Sequence, residues 1–216
     1  MAVSSENRAQ LRLSPAGLRR TGGPPGFGGG AGATDFYFNG PAQPLRQHGG
    51  ILFPFQPDMT YQASANYSPY DMTHTNYTFQ AYRNSPSPTI QLNTTFASTT
   101  EDEARYTMGV LHFLRSVTKM FFGINETGSP GAGTPPPVLR FSAFGETQFN
   151  NIPVLVQDFS TTYDSNVDLK DIDGSQIPVV MNIFIGLLIQ ISPAKQKNDF
   201  SLRRFASGEL YKGGFV

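Results

Sequence analysis

The sequence predicts a mainly β fold of the α+β class, with one α-helix and an extended N-terminal arm. Before and after residue 100, apolar and polar residues alternate in segments rich in Thr and aromatic or β-branched residues. Such alternation is typical of strands with one wet face. Directly after residue 100, apolar residues recur at helical spacing instead. The order of strands, helix and strands favours a sheet with a helix beside it over a regular β–α alternation.

The composition excludes several classes of protein. Only 15% of the 216 residues are charged, the formal net charge is zero, and cysteine is absent. A strongly basic nucleic-acid binder, a disulfide scaffold and a thiolate metal site are therefore excluded. The three histidines have no metal-ligand spacing, and no nucleophile motif is recognisable. The longest apolar stretch is shorter than the ~18 residues of a membrane-spanning helix. We accordingly predict a structural or interaction protein without enzymatic activity, cofactor, metal or membrane segment.

The first 50 residues are predicted to form an arm, separate from a domain over residues 51–216. Residues 21–33 read TGGPPGFGGGAGA, and Gly and Pro at this density bury too little apolar surface to repay the entropy of ordering. Arginine outnumbers acidic residues, so the arm is locally basic. The arm is either a flexible tail or a segment that becomes ordered on a neighbouring subunit. We expect the domain to fold when residues 1–34 of the chain are deleted.

The domain is predicted to begin with strands. Aromatic residues and Thr are frequent from residue 51 to about 84, which suits half-buried strands. The sequence SPSP at 85–88 marks a break. Residues 89–96 then alternate strictly, so that one face collects Ile90, Leu92, Thr94 and Phe96. This segment is predicted to be a strand with one face in the core and one in water.

One helix is predicted after this strand. Thr100 is a good N-cap, and Glu103 completes a capping box. The apolar stripe extends to Phe121, and Gly123 is expected to end the helix. Another face of the helix is expected to carry the basic residues His112, Arg115 and Lys119. This face is either solvated or docks onto acidic groups of a neighbouring subunit.

Three further strands are predicted, at residues 138–145, 152–163 and 177–191. The last of these is predicted to be the longest, since fifteen residues would span ~50 Å. One of its faces is wholly apolar, and the other is mixed and includes Asn182, Gly186 and Gln190. A strand of this length and pattern is typical of the wall of a large barrel or tube.

Blocks of residues between positions 103 and 178 carry a family resemblance. The first is EARY at 103–106, followed by HFLRSVTKMFFG at 112–123. The second is GTPPPVLRF at 133–141, followed by Gly145, FNNIPV at 149–154 and Asp158-Phe159. The pairs Val167-Asp168 and Ile177-Pro178 precede the long apolar strand. In their order, these blocks resemble the baseplate tail-tube proteins of contractile-tailed bacteriophages, over residues 51–191.

The resemblance implies a tail-tube-like β-sandwich or barrel with one flanking α-helix. Six copies would form a homohexameric ring whose long strands join into one barrel around a lumen. The ring would join the central hub of the baseplate to the tail tube and initiate tube polymerisation. DNA and the tape-measure protein would pass through the lumen without sequence-specific binding. The partners would be hub proteins and either tail-tube subunits or a second initiator ring, in a virion assembled in the host cytoplasm.

Two sets of functional residues are predicted for such a ring. Asn182, Gly186 and Gln190 are expected to face the lumen, and the basic helix face is expected to dock between subunits. Other interpretations remain open. The first alternative is another tube-like part, such as the tail-tube subunit itself or a tail terminator. An alternative of a different class is a receptor- or glycan-binding β protein, suggested by the region rich in Tyr, Asn and Thr at 60–96.

Overall fold

In a computed structural model, which describes residues 8–14, 36–122, 133–145, 147–163, 165–172 and 174–216, the chain is mainly β, as predicted. Seven strands form one antiparallel sheet, and four more form two separate two-stranded ribbons. In chain order the strands are β1 (Gln10–Leu13), β2 (Gly50–Leu52), β3 (Asp58–Gln62), β4 (Asn66–Tyr70), β5 (Phe79–Asn84), β6 (Thr89–Ala97), β7 (Leu139–Ala143), β8 (Phe149–Thr162), β9 (Leu169–Ile172), β10 (Ser175–Pro178) and β11 (Val180–Ile189).

The large sheet is strongly curled. Its strand order is β2-β1-β7-β8-β11-β6-β3, yet the two edge strands are joined by residues 53–57 alone. That connection reaches at most ~21 Å, whereas seven flat strands would hold their edges about 29 Å apart. Phe53, which follows β2, accordingly contacts Phe96 on β6 across the concave side, with ring centroids 6.4 Å apart. Curling lets one sheet enclose its own core.

The core lies between the sheet, helix α1 (Glu101–Val117) and a 3-10 helix at Gly40–His48. The alternation predicted for residues 89–96 is confirmed, since the four residues of its apolar face are all buried and Gln91, Asn93 and Thr95 are exposed. From the helical side, Phe113 stacks on Phe38 with ring centroids 5.6 Å apart. This stack holds α1 against the short 3-10 turn at Phe36–Phe38.

Helix α1 begins as predicted and ends earlier than predicted. The capping box is present, and hydrogen bonds from Thr100 and Thr99 lower the pKa of Glu103 to about 2. The helix ends at Val117, six residues before Gly123. The hydroxyl of Ser116 donates to the His112 carbonyl, and that of Thr118 donates to the Leu114 and Arg115 carbonyls. These bonds satisfy carbonyls near the C-terminal end of α1, so the helix does not need to continue for these carbonyls to be paired.

Part of the predicted arm belongs to the folded domain. Strand β1 lies between β2 and β7 in the large sheet, and its Leu11 is fully buried. The 3-10 helix at Gly40–His48 buries Ala42 and Leu45 against α1. The boundary predicted near residue 50 is therefore wrong for these two segments. Residues 1–7 and 15–35 of the predicted arm lie outside the described residues.

The segment predicted as one long strand at 177–191 is two strands. Pro178 ends β10, and the chain changes partner strands at Val179, whose amide donates to Asp168 beside β9 while its carbonyl accepts from Ser98 beside β6. Strand β11 then has 10 residues. The longest strand is β8, with 14 residues, which begins four residues before Pro153 and not at it.

The β2 edge of the sheet is closed by a tyrosine. The Leu52 amide donates to the Tyr106 hydroxyl, and the same hydroxyl donates to the Leu52 carbonyl, both at 2.8 Å. Burial raises the pKa of Tyr106 to about 12, although the hydrogen bond to Leu52 opposes this shift. The hydroxyl thus stays protonated and can donate. It occupies the two backbone groups that another strand would need.

The C-terminal segment, residues 192–216, adds two helices to the one that was predicted. It contains α2 (Pro193–Asp199), α3 (Leu202–Ala206) and a 3-10 turn, and it buries Leu210 and Phe215. Gly214 has a φ of +73°, and a Cβ atom there would press on the Asn151 carbonyl. A glycine at this position lets the segment pack closely on the first residues of β8.

Candidate assembly surface

The strands β3, β6, β11 and β8 form a continuous four-stranded strip with one open face. Residues paired across the strip point to the same side, so the open face follows from the register. Besides the apolar Phe184 and Leu188, this face carries mainly hydroxyl and amide side chains. These belong to Thr60, Gln62, Gln91, Asn93, Thr95, Ser160, Thr162 and Asn182. The opposite face packs on the core.

Of the three residues predicted to face a lumen, Asn182 and Gly186 lie on the open face of the strip, and Gln190 lies just beyond the end of β11. Asn182 accepts a hydrogen bond of 2.7 Å from the Thr95 hydroxyl, across the β6–β11 pair. Gly186 is paired with Asp158, and a Cβ atom at position 186 would collide with the Asp158 carboxylate. Gln190 follows β11 and is exposed. The facing predicted from the alternation is therefore correct, but whether the open face lines a lumen stays a prediction.

The strip carries no positive charge. Strands β3, β6, β8 and β11 contain no lysine, arginine or histidine, and their charged residues are Asp58 and Asp158. Both carboxylates belong to the open face, because Asp58 is paired with Asn93 and Asp158 with Gly186. A phosphate backbone that approached these strands would meet neutral or negative side chains on them.

The strip has an unpaired backbone edge on each side. Within the described residues, no strand pairs with the outer edge of β3. On the other side, β7 pairs with β8 only up to Val154, so no described strand lies beside residues 155–162 of β8 on that edge. Exposed unpaired edges are sites at which another chain adds a strand. No local sequence pattern predicts a free edge, because it depends on which strands pair.

The structure brings together two of the three predicted docking residues. His112 and Arg115 lie one turn apart on α1, half-buried and exposed respectively. Lys119 is exposed but lies beyond the helix end, since α1 stops at Val117. The third position of the predicted basic face is therefore not on the helix.

The ribbon of β4 and β5 differs from the half-buried strands that the sequence predicted. Its aromatic side chains are largely exposed, and neighbouring Tyr77 is 89% exposed. None of the strands and helices that the structure describes covers either face of the ribbon to the extent seen in the large sheet. Composition indicated strands correctly here, but the absence of a covering element cannot be read from it.

Two kinds of feature were not found in the described residues. In them, no three His, Asp or Glu side chains are grouped closely enough to hold a metal ion. No helix in the described ranges is both long and apolar enough to cross a membrane. The features that remain are surfaces: an open face, two free edges and an aromatic ribbon.

Comparison with known proteins adds no family. No protein-family model matches the chain, and no curated protein matches it.

Proposed function

We propose that this chain is a structural protein of a contractile phage baseplate, which forms a hexameric ring between the central hub and the tail tube and initiates tube polymerisation. One observation carries the proposal: among the strands that the structure describes, a four-stranded antiparallel strip has free backbone edges on both sides. In such a ring, β8 of one copy pairs with β3 of the next. The domain is then a tail-tube-like unit.

The number of strands in the strip allows copies of the chain to repeat head to tail and close into a ring. Strands β3 and β11 run one way, and β6 and β8 run the other. Because the strip has an even number of antiparallel strands, a head-to-tail repeat sets β8 against an antiparallel β3 at every junction. Such heterologous contacts close into a ring when the rotation closes. The β2 edge cannot compete, because Tyr106 already occupies Leu52.

The resulting barrel is wide and has a non-adhesive lining. Six copies contribute 24 strands, which at ~4.8 Å spacing and about 40° tilt give a diameter of about 48 Å between backbones. Barrels of roughly 16–18 strands already enclose an aqueous channel. The open face, with Asp58 and Asp158 as its only charged groups, lines the lumen. DNA then passes without being held by lysine or arginine.

Disulfide crosslinking tests the β3–β8 junction directly, because the chain has no cysteine of its own. One cysteine replaces Thr60 on β3, and a second replaces Asp158, Ser160 or Thr162 on β8 in three separate variants. Within one copy two strands separate these positions, a distance of ~14 Å, whereas a disulfide needs Cα atoms within about 7 Å. We expect one of the three pairs to give a ladder of crosslinked species that ends at six copies.

A matched control places the first cysteine on β6 instead, at Gln91. That strand has neighbours on both sides within the copy, so Gln91→Cys with Ser160→Cys is expected to give no ladder. Absence of crosslinks in all three test variants would reject the junction. A product that stops at the dimer would reject a head-to-tail ring.

A further inference from the structure

The β4–β5 ribbon exposes aromatic side chains on both of its faces. Tyr67 and Tyr82 form a cross-strand pair on one face, and Tyr70 and Phe79 form a pair on the other. These four side chains are 57–61% exposed, and no residue from Gln62 to Asn84 is buried. A two-stranded ribbon is marginally stable alone, and contiguous exposed aromatic surface marks an interaction site.

The position of the ribbon determines what it meets in the ring. The ribbon connects β3 to β6, so it leaves the strip at the end where Gln62 and Thr89 are paired. The same end of the strip holds Leu188 of β11 and Leu155 of β8. When a neighbour's β8 lies against β3, the part of that neighbour beside the ribbon is therefore what precedes its Leu155.

In each copy β7 pairs with this part of β8, and the C-terminal segment stands at the same place. It packs on the first part of β8, where Gly214 contacts Asn151. It presents two exposed apolar side chains, Leu202 at 72% and Phe200 at 43% exposure. The Phe200 ring is held by Phe205 and Phe215, with centroids 5.8 and 5.7 Å away. The segment thus offers an anchored apolar surface.

We infer that the β4–β5 ribbon of each copy packs on the C-terminal segment of the neighbouring copy, against Phe200 and Leu202. This inference rests on the proposed function, since the β3–β8 junction brings the two surfaces together. In the competing arrangement, the ribbon would contact Tyr163 and Leu169, which are exposed at the opposite end of the strip. The ribbon would reach them only if rings stacked end to end.

Mixtures of single-cysteine variants distinguish these arrangements. Tyr67→Cys or Tyr70→Cys, one for each ribbon face, is mixed with Leu202→Cys and allowed to assemble and oxidise. Each chain carries one cysteine, so a disulfide between the two variants joins different copies. We expect one of the two ribbon variants to form a crosslinked heterodimer with Leu202→Cys. We expect neither ribbon variant to form one with Leu169→Cys.

Every outcome bears on the inference. A crosslink to Leu169→Cys, or to neither position while the ring forms, overturns it and leaves the proposed function standing. If the full chain forms no ring and no β3–β8 crosslink, the proposed function fails with it. Loss of the aromatic surface supplies a second measurement: Tyr70→Ser with Phe79→Ser is expected to raise the dissociation constant of the ring at least ~tenfold. Tyr163→Ser, at the opposite end, is expected to leave it unchanged.

Discussion

Replacing Ile185 with lysine is expected to leave the domain unfolded. Ile185 is fully buried on β11, where it is paired with Leu92 on one side and Phe159 on the other. The substitution removes about 1.5–3 kcal/mol of apolar burial. It also places an unpaired ammonium group in the core, at a cost of several kcal/mol. The sum is comparable to the ~5–15 kcal/mol by which a domain is stable. Circular dichroism and urea denaturation of purified Ile185→Lys check this result.

The matched control introduces the same side chain in water. Gln190 follows β11 and is exposed, so Gln190→Lys is expected to fold and to change the free energy of unfolding by less than about 0.5 kcal/mol. If Gln190→Lys unfolds while Ile185→Lys is tolerated, the two faces of the strand are assigned the wrong way round.

Replacing Leu11 with aspartate is expected to have an effect of similar size. Leu11 is fully buried and is paired with Ile51 of β2 and Phe141 of β7. A buried, unpaired carboxylate there would prevent β1 from entering the sheet. Strands β2 and β7 would then lose their common partner. For the same reason, deletion of residues 1–34 is now expected to unfold the domain, contrary to the expectation from sequence.

The neighbouring residue provides the control for Leu11. Arg12 is exposed on the other face of the same strand, so Arg12→Asp is expected to keep the urea midpoint of the unmodified chain within experimental scatter. A Leu11→Asp variant or a deletion of residues 1–34 with an unchanged midpoint would show that β1 is not part of the stable sheet.

Local patterns predicted the elements that local physics determines. Strict alternation identified β6 and its two faces, and the capping box at Thr100 and Glu103 identified the start of α1. Both signals depend on residues within a few positions of one another. The mixed face of β11, with Asn182 and Gly186, was predicted correctly for the same reason.

Features that depend on distant partners were not predicted. Strand β1 has only four residues, and its burial comes from pairing with strands 40 and more than 120 positions away. The break at Val179 reflects a change of partner strands, from β9 before it to β6 and β8 after it. In both places, pairing between distant segments determines the structure, whereas the prediction rested on local composition. A Gly/Pro-rich stretch beside β1 concealed a short strand.

The candidate surface was predicted in part. The alternation places Asn182 and Gly186 on one face, but the free edges of β3 and β8 follow from sheet order alone. The exposure of the ribbon follows from the lack of a covering element. Neither property has a local sequence signal, since each describes what the rest of the chain leaves unpaired.

Electron microscopy of the purified full-length chain tests the central claim most directly, because it shows whether the strip closes on itself. We expect closed six-fold rings with an open lumen, in which each β3 lies beside a β8 of the next copy. Monomers, trimers or rings whose junction involves β2 would contradict the account.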